Sequence, residues 1–141
     1  MSDSSNGTNN GYHFVFVYGS LKRGFHNNFI LRHSEFLGEF RSKDPDWRMI
    51  SFNVYPGVLF SYLNGSHVSG ELFLVDDDDL VRLDRLESNG SFYTRSEIEL
   101  EGLENQPVWM YILNDEYSDN DNVRGVSLNK ETNTFSWEGR K

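Results

Sequence analysis

Two short stretches of this chain carry residue types that could do chemistry. The first is Tyr18-Gly19-Ser20-Leu21, which follows the apolar run Val15-Phe16-Val17. A strand that ends in Gly-Ser turns tightly and exposes successive backbone N–H groups. Such a nest binds a carboxylate or a developing oxyanion. Gly19 would allow the turn and let a ligand approach the main chain closely. A Gly-Ser pair after a strand can equally be a turn and nothing more. The second stretch is Leu83-Asp84-Arg85-Leu86-Glu87, followed by Tyr93 and Arg95. Glu87 falls near the C-terminal end of a helical repeat, where the dipole disfavours negative charge. A carboxylate at the edge of an apolar stripe has a raised pKa, which suits a general base. The alternative is an ordinary ion pair to Arg85 or Arg95.

The elements that must position these residues are short. The run from Tyr12 to Tyr18 is apolar enough to be a strand buried on both faces. Residues 26–33 have Phe29, Ile30 and His33 at near-helical spacing and predict a short helix or turn. A strand from Ser34 to Ser42 follows. Residues 43–56 form a segment rich in Asp, Trp and Tyr that ends in Tyr55-Pro56-Gly57, a turn signal. Val58 to Leu63 and His67 to Val75 read as a hairpin through Asn64-Gly65, a pair that favours positive φ at both positions. The period then changes. Leu80, Leu83, Leu86 and Glu87 share one helical face, Asp76 can cap the N-terminus, and the aspartates after it suit the dipole. Asn89-Gly90 would end that helix. Strands are expected at Ser91 to Leu100 and Val108 to Leu113. The fold class is therefore α+β: a small mixed β-barrel-like sheet with one or two short helices. One domain spans 12–113, after a disordered tail at 1–11 and before a polar segment at 114–141 with one edge strand at Thr134 to Trp137.

Composition narrows the function. The 141 residues carry a formal net charge of -9. This argues against general phosphate-backbone binding, so no nucleic-acid partner is expected. Trp47, Trp109 and the phenylalanines read as core and pocket wall, since stacking platforms accompany a basic groove. There are no cysteines, which excludes disulfides, thiolate metal sites and a Cys nucleophile. The N-terminal stretch lacks an apolar core and no run approaches ~18 apolar residues, so neither a signal peptide nor a membrane span is expected. The default is a cytoplasmic protein with no cofactor and no metal. Lys22 and Arg23 can be solvated surface or can attract an anionic ligand. His26 reads as a loop histidine with a local hydrogen bond.

In order, several motifs together resemble the gamma-glutamylcyclotransferase-like proteins, which include the plant avirulence-induced proteins. The resemblance is closest to the gamma-glutamylamine cyclotransferase branch. It rests on Tyr18-Gly19-Ser20-Leu21-Lys22-Arg23-Gly24, on Tyr55-Pro56-Gly57, on Gly70-Glu71-Leu72, and on Leu83-Asp84-Arg85-Leu86-Glu87 with Tyr93 and Arg95. It covers roughly residues 13–113. Two positions depart: Ser88 stands where a glycine commonly follows the glutamate, and Asn28 where a histidine often sits. The resemblance implies a gamma-glutamylcyclotransferase-like fold and an intramolecular aminolysis. The α-amino group of a γ-glutamyl compound attacks its own γ-carbonyl, releasing 5-oxoproline and an amine or amino acid. It further implies Glu87 as catalytic base and Tyr18, Gly19, Ser20, Leu21 and Tyr93 as substrate-binding residues. Two other readings compete. One is a non-catalytic protein that binds or sequesters a small ligand in the same cavity. The other is an adaptor acting through the acidic stretch Asn114 to Asn122.

Overall fold

The computed structural model describes residues 11–61 and 63–139. The expected disordered tail lies, apart from Gly11, outside the described residues. Among these residues nine strands and one α-helix follow in order: β1 Tyr12–Val17, β2 Glu35–Arg41, β3 Trp47–Ser51, β4 Pro56–Phe60, β5 His67–Asp76, α1 Asp77–Leu86, β6 Tyr93–Ile98, β7 Val108–Leu113, β8 Val126–Asn129 and β9 Thr134–Trp137. A 3-10 turn at Asn28–Leu31 satisfies the short-helix expectation. Another occupies Asp115–Tyr117.

β1 and β5 organise the molecule. β1 runs antiparallel to β5 and parallel to β7, and β6 adds antiparallel to β7. β5, the longest strand, also pairs with β2 and with β9, and β8 closes on β9. The sheet curls into a half-barrel of α+β class. Strand side chains alternate between faces, and β1 shows the consequence. Val15 and Val17 join a core with Leu80, Leu83 and Leu113, while Phe16 and Tyr18 join another with Met49, Leu72 and Trp137. Its continuous apolar run is thus explained by burial on both faces, as expected.

α1 begins as its sequence dictates. The Asp76 carboxylate accepts from the Asp79 N–H at 2.8 Å, and Asp77, Asp78 and Asp79 fill the first turn. Leu80 and Leu83 are buried against the sheet, each stabilising by roughly 1.5–3 kcal/mol. Leu86 departs from that face and is 39% exposed. The helix stops earlier than Asn89-Gly90: Glu87 is its C-cap and Ser88 takes the left-handed conformation, φ +49. This is the position where the resemblance implies a glycine, which adopts that conformation without steric cost.

Three further expectations need correction. The segment 43–56, where no strand is expected, contains β3, paired with β4 in a separate two-stranded sheet. The Asn64-Gly65 hairpin does not form, because β5 gives its edges to β1, β2 and β9, and β4 turns to β3. Asn64 alone of that pair has positive φ, +58. Gly65 is needed for proximity instead: a Cβ there would lie 2.5 Å from the Pro45 carbonyl oxygen. Finally, the C-terminal segment supplies two strands, and β9 is flanked by β5 and β8 rather than lying at an edge. Trp137 on β9 is fully buried.

Candidate active site

The end of β1, the end of α1 and the start of β6 converge on one cavity of about 370 Å³, within the usual size of small-molecule sites. Tyr18, Gly19, Ser20, Leu21, Glu87 and Tyr93, all expected from the sequence, line it together. Asn27, Tyr55, Pro56, Phe92 and Tyr111 line it too and were not foreseen as site residues. For Tyr55 and Pro56 the turn motif was a usable signal. Tyr111 lies in the middle of an ordinary apolar strand and gave none.

The loop after β1 is pinned through its carbonyls. Gly19 O accepts from Lys22 N at 3.0 Å, Ser20 O from Asn27 N at 2.9 Å, and Leu21 O from Asn28 Nδ2 at 2.8 Å. Asn27 Nδ2 also donates to Ser20 Oγ at 3.0 Å. Asn28, where the resemblance implies a histidine, therefore holds the loop. The N–H groups of Gly19, Ser20 and Leu21 donate to no acceptor among the described residues. Gly19 does not adopt positive φ. Its side chain is excluded by packing, because a Cβ would meet Pro56 Cδ and Cγ at 2.7 Å.

Three tyrosines brace the walls. Tyr18 OH donates to Tyr111 O at 2.8 Å and accepts from Val58 N at 3.2 Å. Tyr93 OH donates to Pro56 O at 2.5 Å, and Tyr111 OH to Asp84 Oδ1 at 2.6 Å. The Tyr93 proton is thus committed to the main chain of Pro56, the residue that packs on Gly19. Burial holds the Tyr18 and Tyr93 hydroxyls neutral, well above their ordinary range, and the Glu87 charge adds to this.

Glu87 is unlike its neighbours. Its carboxylate has no hydrogen bond and no ion pair among the described residues. It lines the cavity and is half-buried, and burial pushes its pKa up to about 7. The ion-pair alternative fails for both arginines: Arg85 is exposed and makes no ion pair among the described residues, and Arg95 is engaged elsewhere, its Nε 2.9 Å from Asp84 Oδ1 and its Nη2 3.2 Å from Oδ2.

The basic pair does not reach the cavity. Lys22 Nζ donates to Trp137 O at 3.0 Å and lies over Phe25. Arg23 stacks 3.5 Å over Phe36, and its N–H donates to Glu71 Oε1 at 2.8 Å. They fasten the loop to β5 and β9. His26 Nδ1 is buried without a hydrogen-bond partner among the described residues, contrary to the expected local bond. Among those residues no cluster of His, Asp and Glu is placed to hold a metal, and no helix is long and apolar enough to cross a membrane.

Comparisons with known proteins point the same way. Residues 15–132 match the family described as "Gamma-glutamyl cyclotransferase, AIG2-like". A Vibrio cholerae protein provisionally named a gamma-glutamylcyclotransferase is 38% identical over 100 residues, covering 71% of this chain and 81% of that one. The Danio rerio protein named gamma-glutamylaminecyclotransferase C is 38% identical over 96 residues, covering 63% and 62%. The crystal structure of an AIG2-like protein from Mus musculus superposes with a TM-score of 0.63 at 26% identity, covering 80% of this chain and 86% of that one. The match over residues 15–132 and the Vibrio cholerae relative show that the chain belongs to the gamma-glutamyl cyclotransferase, AIG2-like family.

Proposed function

We propose that the protein is a cyclotransferase that converts a small γ-glutamyl amide to 5-oxoproline and a free amine or amino acid. The observation that carries this is Glu87: an unpaired carboxylate with a pKa near 7, sharing one cavity with a loop whose N–H groups have no acceptor among the described residues. The substrate's α-ammonium has a pKa near ~8. Glu87 accepts its proton, because the two groups are closely matched at neutral pH. The freed amine attacks the γ-carbonyl carbon. The N–H groups of Gly19, Ser20 and Leu21 hold the α-carboxylate and polarise the carbonyl as negative charge develops on its oxygen. The carbonyl re-forms as the C–N bond to the leaving group breaks; Glu87 returns its proton to the departing nitrogen and then takes the second proton from the ring nitrogen, which leaves neutral 5-oxoproline, and passes it to the released amine. The nucleophile belongs to the substrate. The protein's task is to hold amine and carbonyl in a folded conformer, an effect worth ~7–11 kcal/mol when orientation is good.

The test is 5-oxoproline release from a panel of γ-glutamyl compounds by the wild type and by Glu87→Gln, which keeps the shape and removes the base. Release by the wild type with a loss of at least ~10²-fold in the variant is the expected outcome. No release by either protein, with a γ-glutamyl compound still raising the melting temperature, would replace this reading with a ligand-binding one.

A further inference from the structure

Arg95 is the cation best placed to neutralise Glu87, yet it does not. It sits two residues beyond Tyr93 on β6, on the same face and about 7 Å along the strand. Its cross-strand partner is Tyr111, which lines the cavity, and such partners share a face. The Tyr93 N–H reaches Glu87 O at 3.4 Å, so β6 runs directly past the end of α1. The guanidinium is instead drawn to Asp84 by two hydrogen bonds and lies 4.2 Å over the Trp109 ring. Asp84 precedes Glu87 by three residues, on the same side of α1. It also accepts the Tyr111 hydroxyl.

We propose that Asp84 is a positioning residue: it holds Arg95 against Trp109 and Tyr111 against the helix end, so that the cation stays off Glu87 and leaves that carboxylate alone in the cavity. Asp84 and Arg95 cancel as seen from Glu87. The groups that face Glu87 from the other walls, Tyr18, Tyr55, Tyr93 and Tyr111, are all hydroxyls. Of the remaining charges on these two elements, Arg82 pairs with Asp79 and Asp77 with His13, and Asp78, Arg85 and Glu97 are exposed. The balance at Glu87 therefore turns on the Asp84–Arg95 pair.

This inference gives Glu87 the role proposed above, but its test does not need activity. The Glu87 carboxyl is titrated in the free protein by ¹³C NMR, with Glu87→Gln identifying the signal. Asp84→Asn leaves Arg95 unopposed and should lower the midpoint by about one pH unit or more. Arg95→Gln leaves Asp84 unopposed and should raise it. The double variant removes both charges and should return it close to wild type. Structural damage would not move the singles in opposite directions. Singles that shift the same way, or a double that fails to return, overturn the proposal. If Asp84→Asn does not fold, Arg95→Gln decides alone: a midpoint that stays or falls refutes it. In a working enzyme the acidic limb of kcat/KM follows the same shifts. If no γ-glutamyl compound is turned over, the cyclotransferase reading fails while the titration still tests Asp84.

Discussion

Glu87 ties function to stability, and Glu87→Gln measures the tie. Folding raises the Glu87 pKa from 4.5 to about 7, through burial. A carboxyl raised on folding favours the native state only while protonated. Its contribution is complete below about pH 4.5 and is lost as the pH rises through 7. At about 1.36 kcal/mol per pH unit, the difference between 4.5 and about 7 comes to roughly 3 kcal/mol. The side chain is partly open to the cavity, so solvent trims this to roughly 2–3 kcal/mol. Glutamine has the same shape and no charge to bury. At pH 8 the variant should therefore gain this amount over wild type, relative to the difference between them at pH 4. Both proteins share every other carboxylate, so the comparison isolates Glu87. Urea unfolding at the two pH values, followed by tryptophan fluorescence, gives both differences by linear extrapolation. The reasoning fails if the gap between variant and wild type is the same at pH 4 and pH 8. It would mean that Glu87 is solvated in the folded protein, and a solvated carboxylate is a poor base for an ammonium.

Other substitutions probe the frame of the site. Gly19→Ala places a methyl group 2.7 Å from the Pro56 ring; it should destabilise by about 1–3 kcal/mol and impair 5-oxoproline release, read by denaturant titration and by assay. Trp137→Ala empties the fully buried heart of the β9 contact and should cost about 3–5 kcal/mol in urea unfolding. A change under about 1 kcal/mol would mean that the C-terminal strands are dispensable to the fold.

Local chemistry made much of this protein legible in advance. The continuous apolar run of β1 implies burial on both faces and receives it. Asp76 marks the start of α1 because a carboxylate there can take an orphan N–H, and Val108 to Leu113 and Thr134 to Trp137 are strands over the expected residues. Glu87, Tyr18 to Leu21 and Tyr93 were legible because their motifs keep their residue types and spacing. Tertiary structure decided what depends on distant partners. β3 lacks clean alternation, since four of its five residues are buried, Trp47 and Met49 in one core, Ile50 in the other and Ser51 outside both, and only Arg48 is not. β8 is four residues long and exposed except at Val126, and owes its form to pairing with β9. The strong local turn signal at Asn64-Gly65 lost to the ladders that β5 forms with β1 and β2. Likewise, the sequence allowed Arg95 to pair with Glu87. Only the register of β6 on β7, which sets Arg95 opposite Tyr111 and beside Asp84, sends the cation elsewhere. A charge pair is chosen by geometry in three dimensions, and no one-dimensional spacing determines which of two carboxylates a nearby guanidinium will take.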